Sequence, residues 1–231
     1  MNGYLIIDTE SDGLFDWKLP ADALGQPRLA EIGMIFVSRD FKIEREEDWL
    51  IRPEGWKFDD RSEAARVNGL THNRLTQDGI PVGDALSLYC SGIDAGRVIV
   101  GFNVTHDLKL MRAENRRAKI DDRYMRTKSL CMMWSTRSIV GALDARGKVK
   151  IPSLQEACTF FGIEQPKAHS ALADAHSAYQ LMLKLVERGA LPEPKSPYDK
   201  KPKKAKAAKE PKVGLPGDDP ELDDSQAEIP L

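Results

Sequence analysis

The chain has 231 residues, 41% of them hydrophobic, and its 34 Lys and Arg nearly balance 36 Asp and Glu. That length suits one α/β domain with a sizeable core and a remainder, and a net charge of −2 names no partner class by itself. Three widely spaced cysteines, Cys90, Cys131 and Cys158, fit reduced core thiols and exclude a disulfide framework or a zinc site. No apolar run approaches membrane length, and the opening residues lack a basic segment followed by a long apolar stretch. A cytoplasmic protein without membrane attachment is expected.

Taken in order, Tyr4-Leu5-Ile6-Ile7 reads as a buried strand that empties into Asp8, Glu10 and Asp12 before a turn at Gly13. Asp8 and Glu10 share the period of a strand and would project from one face. An irregular stretch follows to about Arg28, broken by Pro20, Gly25 and Pro27. Ala30–Val37 and Phe41–Ile51 read as strands separated by a turn, an opening meander with antiparallel pairing. Asp59–Val67 looks like a short helix, residues 68–71 a turn, and Pro81–Ile93 a longer helix. Arg97–Asn103 repeats the opening pattern of an apolar strand running into polar residues, with a helix over Thr105–Arg117 behind it. Lys128–Met133 reads as a short fifth strand leading into a helix through Val140, and 141–151 as a loop. Ser153 with Glu156 forms a capping box for a helix to Phe161, ended by Gly162. A final helix spans about Ser170–Glu187. Strands first, then alternating helices and strands, indicate a mixed sheet flanked by helices. From about Pro192 the apolar period vanishes, so residues 1–190 are expected to fold and 191–231 to form a disordered tail. That tail is Lys-rich over 195–212 and acidic over 217–231.

Four acids stand in comparable contexts: Asp8 and Glu10 at the first strand, Asp107 after the fourth, and Asp174 in the last helix. Ligand sites of open α/β sheets collect outside the carboxyl ends of strands, which makes Asp8, Glu10 and Asp107 expected neighbours. A first-turn acid stabilised by the helix dipole would equally account for Asp107, and a plain helix-face acid for Asp174.

Asp8-Thr9-Glu10-Ser11-Asp12-Gly13-Leu14 resembles the first motif of the DEDD 3′–5′ exonucleases, and Arg28-Leu29-Ala30-Glu31-Ile32-Gly33 the second strand of that family. Asn103-Val104-Thr105-His106-Asp107 resembles the second motif, and Ser153–Cys158 through His169–Ala175 the third. The resemblance covers about residues 3–186. Histidine five residues before Asp174 places it with the histidine subclass typified by the proofreading subunits of replicative DNA polymerases. It departs from many members at Phe102 and His106, where histidine and an aromatic are usual in the reverse places. His106 is therefore left outside the catalytic set. Phe15 and Trp17, in the long loop after Gly13, suit either base stacking or packing.

The resemblance implies a ribonuclease-H-like five-stranded sheet and phosphodiester hydrolysis from 3′ ends, mainly of single-stranded DNA, in replication, repair or proofreading. It implies two divalent ions, Mg²⁺ or Mn²⁺, held by Asp8, Glu10, Asp107 and Asp174, with Asp8 bridging and His169 as general base. Thr9, Leu14 and Asn103 would contact the terminal nucleotide. The chemistry suits these residues: hard oxygen ligands match Mg²⁺, two such ions about 3.5–4 Å apart clamp attacking and leaving oxygens, and an imidazole with pKa near 6.5 suits proton abstraction. An RNA-trimming enzyme of the same fold and a non-catalytic nucleic-acid-binding module are the alternatives. At the end of the chain, Gln226, Ile229 and Leu231 resemble the hexapeptide by which replication proteins dock on a sliding clamp. The terminal sequence also resembles the acidic tip of single-stranded-DNA-binding proteins.

Overall fold

The computed structural model describes residues 2–23, 25–165 and 170–197. They belong to one compact unit, Met1–Lys200. Strands β1 (Tyr4–Ser11), β2 (Leu29–Val37), β3 (Ile43–Leu50), β4 (Val98–Gly101) and β5 (Ser129–Cys131) form a mixed sheet in the order β3-β2-β1-β4-β5. The first three strands pair antiparallel, and β4 and β5 join parallel on the other side of β1. This is the ribonuclease-H-like arrangement expected from the sequence. The helices are α1 (Glu63–Asn68), α2 (His72–Asp78), α3 (Val82–Asp94), α4 (Val104–Arg117), α5 (Met132–Val140), α6 (Leu154–Phe161) and α7 (Ala171–Glu187).

Both faces of the sheet are covered, which is why β2 is apolar along most of its length and buried throughout. Leu5, Ile7, Ile32, Met34 and Ile99 pack with α3 and α4 on one face. Tyr4, Ile6, Ile35, Val37 and Val100 pack with residues of α6 and α7 on the other. The capping box of α6 is present, and Gly162 ends that helix at φ 68°. Cys90, Cys131 and Cys158 are free. No helix among the described residues is long and apolar enough to cross a membrane.

Three differences from the sequence reading have physical causes. First, β1 does not end at Ile7. Its pairing with β2 continues through Glu10↔Glu31 to Ser11↔Leu29, with an irregularity after Glu10, so Asp8 and Glu10 are strand residues whose directions the ladder fixes. Second, residues 72–78 are helical. Thr71 caps them through Arg74 N–H at 3.2 Å, but only Leu75 is buried, too little to give an apolar period. Third, the fold runs past residue 190. Leu191 packs on the core, and Lys195 exchanges two 2.9 Å backbone hydrogen bonds with Ser129, covering the open edge of β5. The remainder of the expected tail, 198–231, lies outside the described residues.

One close approach sets the position of α7. A Cβ added to Gly33 would lie 2.4 Å from Leu172 N and 2.5 Å from Ala171 C, both backbone atoms that cannot swing aside. Gly33→Ala is expected to cost about 1–3 kcal/mol in urea unfolding. Gly13→Ala, which meets nothing within 4 Å, should stay within about 0.5 kcal/mol of wild type.

Candidate active site

The strand ladder sends Asp8 and Glu10 toward the α7 face and Thr9 toward α4. Asp174 lies in the first turn of α7. Carboxylate oxygens of Asp8, Glu10 and Asp174 all lie within 4.8 Å of one another. Asp107, in the first turn of α4 and 3% exposed, stands close enough to Asp8 to act on its ionisation. The Thr9 hydroxyl donates to Asp107 Oδ1 at 2.7 Å. Of the five residues expected to be catalytic, the structure thus brings together the four acids. The fifth, His169, lies outside the described residues.

The cluster is electrostatically costly as it stands. Burial, then the charges of Asp107, Asp174, Glu10 and Glu31, push the Asp8 carboxyl well above the usual carboxylate range. Burial and then the Glu31 and Asp174 charges raise Glu10 to about 7, against a hydrogen bond from the Asn68 side chain. Burial also raises Asp107 to about 7, opposed by its Thr9 hydrogen bond. Clustered oxygens that repel one another and sit partly desolvated are what hard divalent cations neutralise. The donor set, all carboxylate, fits Mg²⁺ or Mn²⁺.

Two contributors were not singled out from the sequence. Glu31 is the cross-strand partner of Glu10 and is 6% exposed. Its Oε1 accepts Ala171 N–H at 3.1 Å, so it caps α7 from another element, where Ser170 supplies no side-chain cap. It also shares a hydrogen bond with Asp48, and burial followed by the Asp48 charge raises it to about 7. An acid inside the apolar run Leu29–Val37 was the available signal. Asn68, at the end of α1, also reaches the Ser11 carbonyl at 3.4 Å, and nothing local in its sequence marks it.

Around this cluster, Leu14 is 90% exposed. Asn103 is also exposed and makes no side-chain cap bond to α4. Phe15 is buried, edge-on to His106 with centroids 5.4 Å apart. It is a packing residue, while Trp17 remains exposed. Burial and the Lys109 charge hold the His106 pKa below its ordinary value. Gln26 closes the loop by hydrogen bonds to the Asp16 backbone at 2.8 and 3.0 Å.

Residues 5–182 match the exonuclease family model. This chain belongs to the exonuclease family, within the DEDD superfamily. Its fold is similar to that of Escherichia coli exonuclease I solved with a dT13 oligonucleotide (TM-score 0.66, 20% identity) and with a dA16 oligonucleotide (TM-score 0.65, 18% identity). In both cases the match covers 80% of this chain and 40% of the other. A product-bound exonuclease I gives a TM-score of 0.64 at 17% identity, covering 80% of this chain and 43% of that one. The chain therefore spans well under half the length of these structures. No curated protein matches it.

The raised carboxyls define a pH dependence. Each has a folded pKa above its unfolded value near 4, so between about pH 4 and 7 the folded chain holds more protons than the unfolded one. Stability contributed by these groups falls as pH rises through that window and is lowest above it. Without divalent metal, Tm is expected to be higher at pH 5.5 than at pH 8, and Glu10→Gln should flatten that slope. Mg²⁺ or Mn²⁺ should raise Tm more at pH 8 than at pH 5.5, since a ligand of the folded state stabilises it by mass action. Differential scanning fluorimetry across pH, with and without metal, reads all three.

Proposed function

We propose that this chain is a metal-dependent 3′–5′ exonuclease of the histidine subclass that removes nucleotides from single-stranded DNA, in replication, repair or proofreading. The observation that carries the reading is the convergence of Asp8, Glu10 and Asp174 with Asp107 beside them. Four acids from residues 8 to 174, drawn to the carboxyl end of one strand, have no structural purpose that explains their repulsion.

Asp8, Glu10, Asp107 and Asp174 would hold the divalent ions. The ions, when bound, supply charge neutralisation at the scissile phosphate and acidify a bound water. Thr9 keeps the Asp107 carboxylate turned toward the cluster by its hydrogen bond, so that acid does not have to reorganise during the reaction. His169 takes the proton of the attacking water. Leu14 wedges against the terminal base, and its exposure supports that role. The Asn103 side chain and the Thr9 backbone amide hold the terminal nucleotide. The DNA preference rests on the tail as well, where Gln226, Ile229 and Leu231 would dock on a sliding clamp and raise the local concentration at DNA. A pull-down in which Gln226→Ala and Leu231→Ala retain clamp as wild type does would remove that part alone.

The decisive experiment follows 5′-labelled single-stranded DNA and matching RNA in Mg²⁺ or Mn²⁺. A ladder shortening from the 3′ end is expected on DNA, abolished by Asp8→Ala and slowed on the order of 10²–10⁴-fold by His169→Ala. Faster trimming of RNA would transfer the reading to RNA processing. No cleavage of either by folded, metal-loaded protein would sink it.

A further inference from the structure

Outside the acidic cluster, a groove of about 730 Å³ lies between the loop after Gly13, the outer side of α4, β5 with the start of α5, and residues 192–197. That volume is typical of a built binding site. Its walls carry three cations, Lys109, Arg112 and Lys195, against one acid, Glu193. They also carry three aromatic rings, Trp17, Tyr124 and Trp134. Trp17 and Trp134 are 58% and 53% exposed, a cost in apolar surface that folding alone does not explain.

Cations and rings are paired along the wall. The Lys109 ammonium lies 4.3 Å from the Trp17 ring centre and 4.5 Å from that of Phe15. The Arg112 guanidinium lies 4.2 Å from the Tyr124 ring and is fixed by Asp122 at 2.8 Å. Alternating planar rings and cations form a stacking platform for unpaired bases with phosphates beside them. The groove reaches the first turn of α4, the helix that also carries Asp107. Val104 and Thr105 line it directly after Asn103, and α4 turns Asp107 inward and Lys109 outward within three residues. Trp17 is three residues from Leu14.

We propose that this groove carries the nucleotides lying 5′ of the reacting terminus, as a single strand running from Asn103 and Leu14 along the outer side of α4 toward Tyr124, Trp134 and Lys195. The proposal rests on the exonuclease reading above and extends it to a longer footprint. The ligand is single-stranded because each ring must meet an unpaired base face.

The test uses the full chain carrying Asp8→Ala, so that binding is read without turnover. Fluorescence anisotropy with 5′-fluorescein dT12 and dT3 compares it with the same chain also carrying Trp134→Ala and Lys195→Ala. The added pair should weaken dT12 on the order of tenfold, as expected for losing stacking of one base, and leave dT3 within twofold. Lys195→Ala alone should reduce the salt slope for dT12 by about 0.7, the value for one single-strand phosphate contact. With Asp8 intact, hydrolysis of the p-nitrophenyl ester of thymidine 5′-monophosphate should be the same with and without the pair. Unchanged dT12 binding, or equal weakening of dT12 and dT3, overturns the groove. Amine cross-linking that ties the tail lysines to Lys109 or Lys195, undisturbed by dT12, assigns the groove to the tail and overturns it too. A wild-type chain that hydrolyses neither ester nor oligonucleotide defeats the exonuclease reading, while the anisotropy still decides the groove.

Discussion

At Gly33 the backbone of β2 and the first residues of α7 approach so closely that a single methyl group would meet main-chain atoms at 2.4 Å. The rest of the site depends on that contact. Because β2 presents no side chain there, α7 lies directly on the sheet, and its first turn reaches the position of Asp8, the Cα partner of Gly33. Two residues earlier on the same face, Glu31 accepts the Ala171 N–H. One buried carboxylate thereby fixes where the helix begins and satisfies a donor that would otherwise be orphaned. The glycine sets the distance of Asp174 from the strand, and the glutamate sets its height along it.

The consequence is a concentration of like charge that a folded protein without a function would avoid. Asp8, Glu10 and Asp107 all sit above their ordinary pKa values, mainly through burial. Glu31 adds a further negative neighbour to Glu10. Thr9 and Asn68 offset a little of the remainder by hydrogen bonds. In the proposed function, divalent cations would supply the missing countercharge.

Much of this was legible in the sequence, for identifiable reasons. The apolar run Tyr4–Ile7 and the alternate acids after it signal their strand locally, and Ser153 with Glu156 signals the start of α6 within four residues. The three motifs carry the acids with them. What stayed hidden was non-local. Helix α2 buries one residue and so has no period to read. The role of Glu31 depends on a hydrogen bond to a residue 140 positions away. The pairing of Lys195 with Ser129 depends on an edge strand whose openness no local pattern reveals. The aromatic and cationic groove draws on separate stretches of chain, of which the sequence marked only the loop that carries Trp17. His169, which the family resemblance marked as general base, lies outside the described residues.

The order in which the acids occur along the chain has a consequence for synthesis. Asp8, Glu10 and Asp107 leave the ribosome well before α7, which carries the last acid and begins only at Ala171. Sheet strands β1, β2 and β4 can pair while α7 is still unmade, but the face it will cover stays open and the cluster incomplete. Long-range contacts of this kind form late, after the loop that separates them has closed. A nascent or truncated chain therefore holds a nearly finished sheet and an incomplete acidic cluster. Docking of the final helix is the step that completes it.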